Sequence, residues 1–132
     1  MNIQLKSVKA LYLQLVLDDH SDKCEDSGFD YDVQFPDNSS NEFAVIINGL
    51  IKGDDYRLET AYLALFTIDE NLNDKFKESK FPYVNAPAIA YPFFRAYIAN
   101  ILVNSGFEPK YLPSINFEKL YKDKFKSEKK SK

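Results

Sequence analysis

Apolar and polar residues alternate along four stretches of this chain, and each stretch predicts a β-strand. Ile3 to Leu17 shows Ile3, Leu5, Leu11, Leu13, Leu15 and Leu17 on one face and Val8, Ala10, Tyr12 and Val16 on the other. Periodicity alone also allows a helix there; the β-favouring residues and the initial Gln/Lys alternation favour a strand. Ser7 and Lys9 interrupt the first face and mark a candidate bulge. Phe29 to Phe35 places Phe29, Tyr31, Val33 and Phe35 opposite Asp30, Asp32 and Gln34, the pattern of a strand with one wet side. Glu42 to Lys52 is apolar on both faces. Gly53-Asp54-Asp55 then turns the chain into Tyr56 to Ile68, so these two strands form an antiparallel hairpin. A strand apolar on both faces needs cover on both, which implies a helix on one side and a partner subunit or deep interior on the other.

The period lengthens beyond Ile68. Asn71 to Lys80 holds a short helix. Asn85 is the expected N-cap of a long one, with Pro87 in its first turn. Ile89, Phe93, Ala96, Ile98, Leu102 and Val103 recur at helical spacing, as do Ala88, Tyr91, Arg95 and Ala99. Pro92 predicts a kink, or a helix that starts near Tyr91. Gly106 supplies the left-handed stop, and Pro109 and Pro113 keep the next segment extended. Asn116 caps a second helix whose stripe is Phe117, Leu120, Tyr121 and Phe125. By spacing alone that stripe reads as core.

With 132 residues the chain is expected to form one domain over residues 1–121, and residues 122–132 continue the second helix into a basic, flexible tail. Eleven Phe and nine Tyr without Trp are more rings than a single core readily encloses, so some are expected to line an interface or groove. The net charge is −3; the tail carries +4, which leaves −7 on the body. An acidic body argues against nucleic-acid binding. The single cysteine, Cys24, excludes an intrachain disulfide and fits a reducing compartment. The N-terminus lacks an apolar signal core, and no apolar run approaches the roughly 20 residues that span a bilayer. A cytoplasmic protein without membrane insertion is expected.

Candidate chemistry is sparse. The loop from Asp18 to Gly28 holds the only His, His20, beside Cys24 and five acids, but its spacing matches neither a zinc site nor a calcium loop. It reads as a solvated loop. No Ser lies in a G-x-S-x-G elbow, and no glycine-rich phosphate cradle is present. Neither an enzyme nor a cofactor is expected.

Several motifs together resemble the SecB family of protein-export chaperones. Pro87, Tyr91-Pro92-Phe93 and Arg95 stand where that family's long helix has its proline, its aromatic-Pro-aromatic step and its arginine. Gly106-Phe107 follows as the stop. Pro113-Ser114-Ile115-Asn116-Phe117-Glu118-Lys119-Leu120-Tyr121 resembles the opening of its second helix, and Glu59-Thr60-Ala61-Tyr62-Leu63 a step in its fourth strand. The resemblance implies an α+β subunit: a four-stranded antiparallel sheet packed on one long helix, followed by a short C-terminal helix. It implies a homo-oligomer, a dimer of dimers with the long helices between layers of sheet. Ala64, Tyr91, Phe94, Arg95, Ile98 and Leu102 are the expected interface residues.

The activity so implied is that of an ATP-independent holdase for non-native polypeptides in export. Its groove would be lined by Phe29, Tyr31, Val33 and Phe35 of the second strand and by Phe117, Leu120, Tyr121 and Phe125 of the second helix. Implied partners are non-native clients and the translocase motor SecA, or, as in some members, an antitoxin. Two departures bear on the motor: Leu65 stands where the family often has an acid, and the tail is basic. An adaptor dedicated to one partner is the alternative, and an enzyme or small-ligand carrier built on the same sheet a third reading.

Overall fold

The strand alternation and helical periodicity are realised in a computed structural model that describes residues 2–18, 27–37, 41–109 and 112–126, with side chains as far as Lys124 in the last stretch. The expectations for His20, Cys24 and the end of the lysine tail lie outside the described residues. Four strands, β1 (Ile3–Leu17), β2 (Gly28–Gln34), β3 (Glu42–Lys52) and β4 (Tyr56–Ile68), form one antiparallel sheet in the order β1-β4-β3-β2. Three α-helices follow among the described residues, α1 (Asp74–Lys77), α2 (Ala86–Asn104) and α3 (Phe117–Tyr121), with π-helical turns at Phe81–Asn85 and Lys122–Lys126.

β4 is one of the two inner strands and alternates without a break. Tyr56, Leu58, Thr60, Tyr62, Ala64, Phe66 and Ile68 are buried, and each residue between them is half-buried on the opposite face. β1 pairs with it through two register shifts, between Leu5 and Ser7 and between Ala10 and Tyr12. Each shift flips the strand by one residue. Ile3 and Leu5, then Val8 and Ala10, then Leu13, Leu15 and Leu17 therefore oppose the inward residues of β4. The interruption around Ser7 is thus a real bulge, and a second one recovers the leucine face. The buried Thr60 marks that second shift: its Oγ1 donates to the Tyr12 carbonyl at 2.7 Å.

α2 lies on the inner face of the sheet. Pro87, Tyr91, Phe94, Ile98 and Leu102 form its buried stripe, at spacings of three and four. The helix runs continuously through Pro92, so it does not start at Tyr91. The expected cap at Asn85 is also absent. A π-helical turn, Phe81–Asn85, precedes α2, so Asn85 is already helical (φ −69°, ψ −46°) and its side chain caps nothing. At the far end the stop is as expected. Gly106 adopts φ +89°, its N–H donates to Val103 O, and Phe107 N–H donates to Leu102 O, the paired bonds of a Schellman motif. Phe107 then packs on Tyr56 with ring centroids 4.9 Å apart.

The two short helices have side-chain caps. Asn73 accepts from Phe76 N–H at the start of α1, and Asn116 accepts from Lys119 N–H at the start of α3. With its preceding turn, α2 makes a 24-residue helical stretch, Phe81–Asn104, that by length and composition alone is apolar enough to cross a membrane. Its stripe packed on the sheet is the arrangement of a core helix.

Candidate functional site

β2 is an edge strand. Its alternation turns Phe29, Tyr31 and Val33 to the helical side, and Phe35 follows them just beyond the strand. Phe29, Val33 and Phe35 are half-buried, whereas Tyr31 is only 1% exposed. What covers Tyr31 is α3. Phe117 meets Tyr31 edge-on at 5.6 Å, Phe29 at 6.3 Å and Tyr91 of α2 at 5.5 Å. Tyr121 packs on Tyr83 of the π-helical turn at 5.7 Å, and Tyr83 meets Phe35 at 6.5 Å. Phe35 in turn touches Phe43, which stacks on Phe66. The result is one aromatic seam running the length of β2, continuous with the core.

Seven of the eight residues expected to hold clients are brought together along this seam. The side chain of the eighth, Phe125, lies outside the described residues. The seam is closed, however. Phe117 and Tyr121 are 5% and 7% exposed, so with Tyr31 they are core residues of the single chain. Leu120, Val33, Phe29 and Phe35 remain partly open to solvent.

Polar contacts fasten the cover. Tyr31 Oη donates to Tyr83 O at 2.6 Å, and Tyr91 Oη donates to Pro113 O at 2.7 Å, just ahead of α3. Lys80 Nζ pairs with Glu118 at 2.5 Å. Lys124 Nζ pairs with Asp30 at 2.7 Å, donates to Tyr31 O and lies over the Tyr31 ring. The N–H groups of Tyr31 and Val33 donate to the carboxylates of the residues before them, Asp30 and Asp32. Side chains thus meet backbone groups along the edge of β2. Burial, then the charge of Asp30 and the neighbouring phenols of Tyr121 and Tyr83, push the Tyr31 hydroxyl up to about 12. Tyr83 is raised by burial, Tyr121 and Asp32; Tyr91 is raised by burial and partly brought back by Arg95. All three are neutral at physiological pH.

This arrangement offers apolar surface and hydrogen bonds. Among the described residues, no three His, Cys, Asp or Glu are grouped to hold a metal ion. A depression of about 470 Å³ borders the seam at Phe29 and Asp30 and is otherwise lined by Tyr12, Asn48, Glu59 and Ala61 among others. Tyr83, Lys80 and Lys124 belong to the site, although nothing in their spacing announces it.

The expected interface residues fall differently. Ala64, Tyr91, Phe94, Ile98 and Leu102 are buried within the one chain, and Arg95 is half-buried against the Tyr91 ring at 5.8 Å. The exposed side of α2 instead carries Ile89, Phe93 and Val103. Val8, Leu13 and Leu17 of β1 are exposed as well. Leu65 is half-buried on the outer face of the sheet, opposite Ser7 and Ala44.

Comparison with known proteins accords with this architecture. The chain is 28% identical over 116 residues to the uncharacterised protein MJ0357 of Methanocaldococcus jannaschii, covering 80% of this chain and 73% of that protein. A 38-residue segment is 40% identical to the protein-export protein SecB of Methylibium petroleiphilum, covering 29% of this chain and 23% of that one. The fold is similar to that of the SecB-like chaperone Rv1957 of Mycobacterium tuberculosis, solved in complex with a ChAD peptide from the Rv1956 HigA1 antitoxin. That match has a TM-score of 0.63 and 17% identity, over 86% of this chain and 87% of the other. A Streptococcus agalactiae protein of unknown function matches with a TM-score of 0.65 and 8% identity, over 86% and 98%. The family model described as preprotein translocase subunit SecB matches residues 11–128, and the chain belongs to the SecB family.

Proposed function

We propose that this protein is an ATP-independent holdase that keeps non-native polypeptides from aggregating, with the seam between β2 and α3 as its client site. The observation that carries the reading is the seam itself. Phe29, Tyr31, Val33 and Phe35 form a row of apolar side chains at a sheet edge, covered by a helix of only five residues. Unfolded chains expose apolar segments of no fixed sequence. A row of rings and aliphatic side chains buries them at about 25 cal/mol per Å² without reading sequence. Several such contacts along one client add up.

Export is the cellular use that the family suggests, with SecA as the receiving motor. Leu65 on the outer face bears on the alternative: an apolar residue there favours a chaperone dedicated to one partner, such as the antitoxin peptide bound by the M. tuberculosis protein. We further assign self-association to the exposed side of α2 and β1, through Phe93, Val103, Leu13 and Leu17, with a dimer of dimers as the expected form. The test is light scattering from a chemically unfolded client diluted into buffer. Stoichiometric protein suppresses the rise under this reading; an unchanged rise contradicts it. Pull-down of one partner, untouched by competing unfolded chains, would favour the dedicated form.

A further inference from the structure

We propose that Asp30 and Asp32 guard the β2 edge. They occupy backbone N–H groups that face away from the sheet and line the edge with negative charge, which denies it to the same strand of a second copy of this chain. The guard acts on the backbone edge and stands whether or not clients use the seam beside it.

The hydrogen bonds give the direction of each backbone group. In an antiparallel ladder alternate residues turn both N–H and C=O to the same neighbour. The N–H groups of Tyr31 and Val33 donate to Asp30 Oδ1 at 2.9 Å and Asp32 Oδ1 at 3.0 Å, and the Tyr31 carbonyl accepts from Lys124 Nζ. Tyr31 and Val33 therefore present their backbone away from β3, and Asp30 and Asp32 bond to it. Each aspartate caps the donor that follows it in the chain.

This edge needs such caps. Phe29, Tyr31 and Val33 alternate aromatic and β-branched side chains in a seven-residue strand, a ready template for another copy. Two-fold pairing with Tyr31 opposite Tyr31 would set Asp30 of each chain opposite Asp32 of the other on the outer face. Like charges directly opposite are destabilising. Adding the strand thus costs two existing hydrogen bonds and brings two pairs of carboxylates together.

The other edge is different. β1 has no Asp or Glu between Ile3 and Leu17, and Leu11, Leu13 and Leu17 are exposed there. A sheet open at both edges would join copy to copy into a filament. Closing the β2 edge leaves association to the β1 side, which ends in a closed assembly.

The test uses the full chain and two variants, Asp32→Ala and Asp30→Ala/Asp32→Ala. Both aspartates are exposed, so the substitutions disturb little packing. Light scattering follows mass against concentration, and NMR follows amide exchange at Tyr31 and Val33. The wild type is expected to keep one mass. Both variants gain mass, the double variant at lower concentration and to at least about twice the wild-type value. In dilute Asp32→Ala the Val33 amide exchanges about fivefold faster and the Tyr31 amide as in wild type, because only the Val33 cap is lost. In the concentrated double variant both amides become protected, since strand pairing takes them up. Wild-type mass at every concentration, or a gain in mass with both amides still fast, overturns the guard; so does unchanged Val33 exchange in Asp32→Ala. That variant leaves the Lys124–Asp30 pair intact and carries the test by itself if the double variant does not fold.

Discussion

A Cβ built on Gly49 would lie 2.9 Å from Cζ of Phe94, closer than two unbonded carbons settle. Gly49 sits on β3 opposite Thr60, and Phe94 is wholly buried at the middle of α2. The missing side chain is therefore what lets the long helix approach the sheet. The Phe94 ring cannot retreat easily, since Tyr62 and Tyr91 hold it at 5.8 and 6.4 Å. Gly49→Ala is expected to destabilise the fold by about 1–3 kcal/mol, the usual cost of overpacking. Urea unfolding measures it, and a midpoint equal to that of the wild type would show that the helix can shift.

Thr60 is the one buried polar residue of the core among those described. Its hydroxyl donates to Tyr12 O, so the 2.7 Å contact with Tyr97 must have the tyrosine as donor. One side chain thereby joins the bulged edge strand, an inner strand and the helix. Thr60→Val keeps the shape and leaves both partners without this bond, at a cost of about 1–3 kcal/mol. Calorimetry of the variant, with Tyr97→Phe as the second corner of a double-mutant cycle, measures the coupling.

Much of this architecture was legible in the chain. β1, β3 and β4 have the expected limits because their alternation ends on turn residues or on a charged pair. The apolar β1 faces were harder to read, since two bulges carry Val8 to the same side as Ile3 and Leu13, from which simple alternation separates it. The cap at Asn85 failed because a π-helical turn already leads into α2, and a side-chain cap needs an extended residue there. Helical spacing shows that α2 is apolar nearly all round. It does not tell which side meets the chain's own sheet, so Phe94 and Ile98 were expected at an interface while Phe93 is the residue left exposed. The Phe117 stripe is core by its spacing and client site by family resemblance. Phe117 and Tyr121 are buried within the single chain, which agrees with the first description.

Phe93 is 49% exposed, so its removal disturbs little packing inside one chain. Phe93→Glu is expected to change monomer stability by less than about 0.5 kcal/mol and to lower the oligomer mass by placing charge in an apolar contact. Light scattering coupled to size exclusion measures the mass. An unchanged assembly would move the interface away from this side of α2.

The tyrosines set an alkaline limit. Tyr31, Tyr56, Tyr62, Tyr83 and Tyr91 are all raised above the usual phenol value of 10.0, with burial the first cause for each. Below that value both folded and unfolded forms hold these phenols neutral, so no stability depends on pH there. Above it the unfolded chain ionises first, and stability falls as pH rises toward the folded value, about 12 for Tyr31. Tyrosinate absorbance against pH should show a late fraction that appears together with unfolding. Ionisation of all nine phenols near 10 in the folded protein would contradict the packing.

The central claim is that the β2–α3 seam holds non-native chains, and Val33 and Leu120 test it most directly. Both line the seam yet are only half-buried, so a charge there disturbs folding less than at Tyr31 or Phe117. The measurement is the affinity of a labelled, permanently unfolded polypeptide for Val33→Asp and Leu120→Asp, each first shown to keep wild-type circular dichroism and mass. A loss of roughly tenfold or more in both is the predicted result, from desolvated charge and lost apolar contact. Wild-type affinity in both folded variants would place the clients elsewhere and contradict the account.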